Sequence, residues 1–214
     1  MLVGDRMSRP VITVSPQTSL EDALKIMRSE HISRLPVVKK NGELAGIVTE
    51  KQLLRFSPSN ATTLDVWEIR GVMSRMTVEQ VMATDVVTIT ADLPLEEAAR
   101  LMVDKEIGGI PVVKDNKVVG IITETDLFKI FLEVLGAREQ GIRLTVTVSK
   151  EAGKLAKLAQ AVYGAGGNII SLGTFLGDSS AHGEITMKVD GISKEKLVET
   201  VLPFVIEVLD VRMT

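Results

Sequence analysis

The chain contains no cysteine, which removes disulfide frameworks, thiolate metal clusters and cysteine nucleophiles from consideration. Histidine is almost as scarce: His31 and His182 are the two, too few for an imidazole-based metal site, so no metal site is expected. One Trp, one Tyr and five Phe are a poor stock for stacking bases. Charge of one sign is also lacking, since 25 Lys and Arg face 28 Asp and Glu for a net of -3. That balance offers no electrostatic footprint for nucleic acid, and none is expected as a partner. No apolar run approaches the roughly 18 residues of a membrane span, and Asp5 interrupts the place where a signal peptide has its apolar stretch. The expectation is a cytoplasmic chain away from the membrane. What remains is 214 residues, 45% of them hydrophobic, with mixed charge: a globular protein of one to two ordinary domains.

Sliding the sequence along itself pairs residues 7–41 with 82–116, and thirteen of those thirty-five positions are identical. They include Met7/Met82, Leu20/Leu95, Ala23/Ala98, Met27/Met102, Pro36/Pro111 and Val37/Val112. After a one-residue deletion, Gly46–Leu53 matches Gly120–Leu127. A spacing of 75 residues in only two copies is too long for a solenoid, whose periods run about 20–50 residues. Two similar subdomains about a local pseudo-twofold are implied. In each copy a β-branched run (Val11–Val14, Val86–Thr90) precedes a helix whose apolar residues fall at i, i+3, i+4 and i+7. Two strands joined by a turn and a closing helix complete a β-α-β-β-α unit. Between the copies, Ser57-Pro58-Ser59-Asn60 is loop chemistry, and Thr63 suits the N-cap of a short helix bearing Leu64, Trp67 and Val72.

From Ile142 the pattern changes. Arg143–Ser149 alternates as a half-buried strand, Lys154–Tyr163 reads as a helix stopped by Gly164-Ala165-Gly166-Gly167, and three more strands follow, with a helix from Ser193 to Val201 before the last. The order β-α-β-β-α-β is the split arrangement of ferredoxin-like folds. The fold class is therefore α/β and α+β. Its expected segments are residues 1–56, a linker at 57–77, then 78–135 and 141–214.

The strands Leu35–Val38 and Ile110–Val113, with Gly46-Ile47-Val48-Thr49 and Gly120-Ile121-Ile122-Thr123-Glu124-Thr125-Asp126, resemble a tandem of cystathionine-β-synthase-type (CBS) domains forming one Bateman module. The C-terminal part resembles an ACT domain, with Gly153 after its first strand and Asn168-Ile169 opening its second. In this order the two are similar to the CBS-ACT proteins of acetoin utilisation. The resemblance implies a non-catalytic sensor, with no catalytic residues and no catalytic cofactor. It would bind a regulatory adenosine nucleotide (AMP, ADP, ATP or S-adenosylmethionine) between its CBS domains. The ACT domain would serve amino-acid binding or oligomerisation, and the assembly would be a homodimer or a tetramer. A ligand-free module regulating a partner enzyme of acetoin or acetate metabolism is the alternative.

Taken alone, Thr123-x-x-Asp126 sets a hydroxyl and a carboxylate at a helix N-terminus, which suits a ribose diol and a phosphate but equally a capping box. In the CBS family such residues contact the nucleotide. Gln52 stands where Asp126 stands, a weaker acceptor for a diol. Arg34 offers a rigid fork for phosphate and His31 a further donor, unless the two are a solvated polar pair; Gly108-Gly109 would let a flat base approach the backbone. One composite site follows: ribose on Thr123 and Asp126, adenine along Ile107, Gly109, Ile110 and Pro111, and phosphates on His31 and Arg34. In the ACT part the resemblance implies an amino-acid site at Gly153, Asn168 and Ile169, although Gly166-Gly167-Asn168 is equally a helix stop. His182 is expected at an exposed hairpin tip.

Overall fold

The computed structural model describes residues 1–56, 73–176 and 181–214. The expected linker loop and the Thr63 cap lie outside the described residues. The chain divides into two compact units, Met1–Leu127 and Phe128–Thr214.

In the first unit each repeat builds one core helix and one hairpin. After a short helical turn, α1 (Val3–Arg6), comes α2 (Leu20–Ser29), which starts where Ser19 Oγ accepts from Asp22 N at 3.0 Å and buries Leu20, Ala23, Leu24 and Met27. It ends at His31, whose φ of 54° breaks the helical path. The strands β1 (Arg34–Val38) and β2 (Leu44–Thr49) pair antiparallel with a bulge at Val37/Val38, and α3 (Glu50–Arg55) closes the repeat. The second repeat follows with α4 (Leu95–Asp104), β3 (Gly109–Lys114), β4 (Lys117–Thr123) and α5 (Glu124–Val134), the bulge falling at the equivalent Val112/Val113. Glu106 repeats the left-handed helix stop of His31 with φ 53°. The expected leading strand of each unit shrinks to one parallel bridge, Val14 to Val37 and Ile89 to Val112. In the first copy Pro16, two residues past the bridge, has no N–H with which to extend the ladder.

The segments that precede these bridges are crossed. Residues 1–8 lie on the second repeat: Val3 N donates to Leu93 O (2.9 Å), Gly4 N to Ala91 O (2.8 Å) and Ser8 N to Ile121 O (2.8 Å). Residues 76–83 make the mirror-image bonds on the first: Val78 N to Thr18 O (2.8 Å), Glu79 N to Pro16 O (2.9 Å) and Ala83 N to Ile47 O (2.9 Å). Val3 and Val78 are both fully buried. Met7 packs over Gly120 and Met82 over Gly46, so a side chain on either glycine would have to displace a methionine.

The second unit carries a four-stranded antiparallel sheet in the order β6-β7-β5-β8. Its strands are β5 (Ile142–Ser149), β6 (Asn168–Leu176), β7 (His182–Asp190) and β8 (Glu207–Met213). The helices α6 (Lys154–Gly164) and α7 (Lys194–Val201), the latter capped by Ser193, share a core of Leu144, Val146, Leu158, Val162, Met187, Leu197 and Val201 with the sheet. This is the ferredoxin-like order expected from the sequence. Thr145 and Thr186 pair across β5 and β7, and Lys188, two residues along β7, is 4% exposed and donates to Gly136 O (2.8 Å) and Glu139 O (2.7 Å). A buried ammonium thereby caps carbonyls just past the end of α5.

Candidate functional site

Both repeats end in a strand that runs directly into a helix, and both use the same cap. Asp126 Oδ2 accepts from Thr123 N at 2.9 Å and from Thr123 Oγ1 at 2.7 Å, and Asp126 N donates back to Thr123 Oγ1 at 3.3 Å. Thr49 and Gln52 repeat the arrangement, with Gln52 Oε1 at 2.8 and 2.9 Å and the return bond at 3.3 Å. The capping alternative is thus realised in both copies, and an amide serves it as well as a carboxylate.

Capping leaves more to Asp126. The residue is only 8% exposed, and its other oxygen, Oδ1, accepts from Ser8 Oγ at 3.4 Å. Ser8 reaches it because the crossed leader bridges Ile121. The position equivalent to Ser8 is Ala83, which bridges Ile47 in the first repeat. The second repeat therefore pairs a hydroxyl with a carboxylate at a helix N-terminus, and the first has a methyl and an amide at the matching positions.

Arg34 leaves β1 and reaches the second repeat. A Cβ on Gly108 would meet Arg34 Nη2 at 2.5 Å and Glu124 Oε2 at 2.6 Å. One on Gly109 would overlap Arg34 Nη1 and lie 3.2 Å from its Cζ. The guanidinium thus lies against bare glycine backbone beside Glu124, with Asp126 near enough to act on its charge. Burial pushes Arg34 below its ordinary pKa, and the charges of Glu124 and Asp126 oppose that shift. Arg34 and Gly109 are equivalent positions of the repeat, so an arginine in one copy rests on the glycine that replaces it in the other.

Arg34, Thr123, Asp126 and Gly109 are thus brought together. Ile107 is half-buried, Pro111 is buried, and Ile110 is fully buried, so its side chain serves packing. His31 is exposed and lines a different depression, of about 340 Å³, with Met27, Arg28, Ile32, Ser33 and Glu50. Gly108 joins as the other half of the glycine pair, and Ser8 and Glu124 join the cluster without having been singled out as site residues from the sequence. The alignment carries a signal for Ser8, because Ser8/Ala83 and Asp126/Gln52 change together between the copies.

In the second unit Gly153 opens α6 with φ 83° and has nothing within 4 Å of the place a Cβ would take. Its conformation, not a close neighbour, calls for glycine. Asn168 is exposed at the start of β6 opposite Asp190, and Ile169 packs against the core. His182 is exposed opposite Ser149 in the sheet. Among the described residues no three His, Cys, Asp or Glu are grouped to hold a metal ion, and no helix is long and apolar enough to cross a membrane.

A duplicated hairpin-and-helix unit whose second copy opens its closing helix with Thr-x-x-Asp is the architecture of a CBS pair. The CBS domain model matches residues 3–59 and 78–133, over half of the chain, which belongs to that family. Residues 140–212 match the TTHA0829-like ACT domain. Among solved structures, the CBS pair of protein MJ0100 in complex with 5′-methylthioadenosine and S-adenosyl-L-methionine is 31% identical, with a TM-score of 0.52 over 65% of this chain and 98% of that one. CBSX2 in complex with AMP is 28% identical, with a TM-score of 0.53 over 62% and 97%. AcuB of Vibrio cholerae, a proposed acetoin utilization protein, is 30% identical, with a TM-score of 0.54 over 64% and 95%. A curated relative, the L-aspartate semialdehyde sulfurtransferase of Methanocaldococcus jannaschii, is 33% identical over 133 residues, which span 61% of this chain but only 23% of that enzyme. Related CBS pairs thus bind adenosine ligands.

Proposed function

We propose that this protein is a non-catalytic sensor that takes an adenosine nucleotide into the cleft between its CBS repeats. One observation carries the reading: Asp126, buried and fixed by Thr123 at the start of α5, lies near enough to an arginine from the other repeat to act on its charge. A carboxylate held in this way accepts the two hydroxyls of a ribose, and Arg34 pairs with phosphate. Thr123 and Asp126 hold the ribose, the base lies along Ile107 to Pro111, and His31 stands outside this cluster. Binding shifts the balance between two states of a homodimer, which requires the ligand to prefer one of them. The ACT domain adds an amino-acid site at Gly153, Asn168 and Ile169, or an oligomeric contact.

Titration calorimetry with AMP, ADP, ATP and S-adenosylmethionine tests the assignment on wild type and Asp126→Asn. The amide keeps the cap, as Gln52 does, and removes the charged acceptor. Affinity should fall by about tenfold, the equivalent of roughly 1.4 kcal/mol for one charge-assisted contact. Unchanged affinity in the variant would sink the site.

A second reading rests on Gln52 and Ala83. If the first repeat uses its motif only to cap a helix, the second can do the same, and the chain is an interaction module for a partner enzyme of acetoin or acetate metabolism. Native mass spectrometry separates the two readings, since co-purified nucleotide favours the sensor.

A further inference from the structure

The base position of the proposed site already has an occupant. The surface that Gly108 and Gly109 leave bare is covered by the flat guanidinium of Arg34, with Glu124 Oε2 against the same spot. A base cannot lie on that backbone while Arg34 does. We propose that Arg34 is an internal competitor for the base position, and that Glu124 holds it there until a ligand anion draws it away. This inference rests on the adenosine-nucleotide reading and adds a specificity rule to it.

The rule follows from charge. Moving Arg34 off the glycines separates a partly desolvated cation from Glu124 and Asp126. A phosphorylated adenosine gives the guanidinium a bidentate partner in exchange. A neutral nucleoside asks for the same displacement and returns nothing. An anionic group on the ligand is therefore required to open the base position, beyond adding a contact of its own, and the protein discriminates AMP from adenosine by more than one phosphate contact supplies. Gly109 is part of the device: an arginine there, as in the first repeat, would set two guanidiniums in one place.

Calorimetry on the full chain, with AMP and adenosine as probes, tests the rule on wild type, Arg34→Ala and Glu124→Gln. Wild type should prefer AMP. In Arg34→Ala, adenosine should tighten by about two- to fivefold, the range of one solvent-screened charge interaction, while AMP weakens. Glu124→Gln keeps the arginine, loosens its seat and should tighten adenosine in the same direction. If Arg34 is only a phosphate contact, adenosine affinity stays unchanged in both variants while AMP weakens in Arg34→Ala, and the competitor is overturned with the site intact. If wild type binds neither probe, the nucleotide reading falls and this inference falls with it. Without ligand, the amide resonances of Gly108 and Gly109 should shift on Arg34→Ala; unmoved resonances would overturn the occupied position directly.

Discussion

Ser8 shows how one side chain distinguishes two copies of the same motif. Its hydroxyl donates to the carboxylate oxygen of Asp126 that the Thr123 cap does not use, and Ala83 has no hydroxyl to repeat the contact. With Oδ2 held by Thr123, the Ser8 hydroxyl adds a second hold on Oδ1, and a carboxylate held at both oxygens is better oriented for a diol. Ser8→Ala should therefore weaken AMP binding by about fivefold, the worth of one ordinary hydrogen bond, without moving the thermal midpoint measurably. Equal affinity in calorimetry would assign Ser8 to packing alone. At this scale the sequence was partly legible. Arg34 and Asp126 fall at one site because the CBS resemblance puts the ligand between two copies that differ at just these positions. Glu124 was passed over because Glu50 matches it in the other copy, so the comparison of repeats carries no contrast there.

At the scale of elements, the two bulged hairpins differ in tolerance although their sequences match. The three atoms that a Cβ on Gly120 would meet first all belong to the Met7 side chain, whose thioether can turn aside. A Cβ on Gly46 would lie 2.6 Å from the carbonyl oxygen of Ala83, which the bond from Ile47 N fixes at 2.9 Å. Gly46→Ala should cost about 1–3 kcal/mol, the range of overpacking, and Gly120→Ala clearly less; denaturant midpoints compare them directly. In the second unit, Lys188→Met should cost about 2–3 kcal/mol by removing the charged donor from the carbonyls of Gly136 and Glu139. Helices and hairpins were readable from periodicity and turn chemistry. The leading strands were over-read because β-branched residues announce an extended backbone but not whether a second strand offers more than one bridge.

Across the whole molecule, the exchange of leaders ties the two repeats together. Because Val3 is buried on the second repeat and Val78 on the first, damage should surface in the copy that does not follow in sequence. Val3→Ala should speed amide exchange chiefly in β3 and β4, and Val78→Ala in β1 and β2, each for a loss of about 2 kcal/mol. The reverse pattern would contradict the crossing. Nothing in a 75-residue offset discloses this, since alignment shows which residues correspond and is silent on which copy each one covers. The four-stranded sheet was legible throughout, because its alternation and turns act locally and its order follows from its element sequence.

The crossing also sets a timetable for synthesis. Residues 1–8 leave the ribosome more than a hundred residues ahead of Ile121, against which Ser8 is laid down. At translation rates of about 5–20 residues per second, the interval is on the order of ten seconds. Val3 stays uncovered until Ala91 and Leu93 emerge, and the first repeat can seal its own core only when Val78 does. The first repeat thus completes its core before residues 1–8 find their place, and the Ser8–Ile121 bridge is the last of these crossed contacts to form.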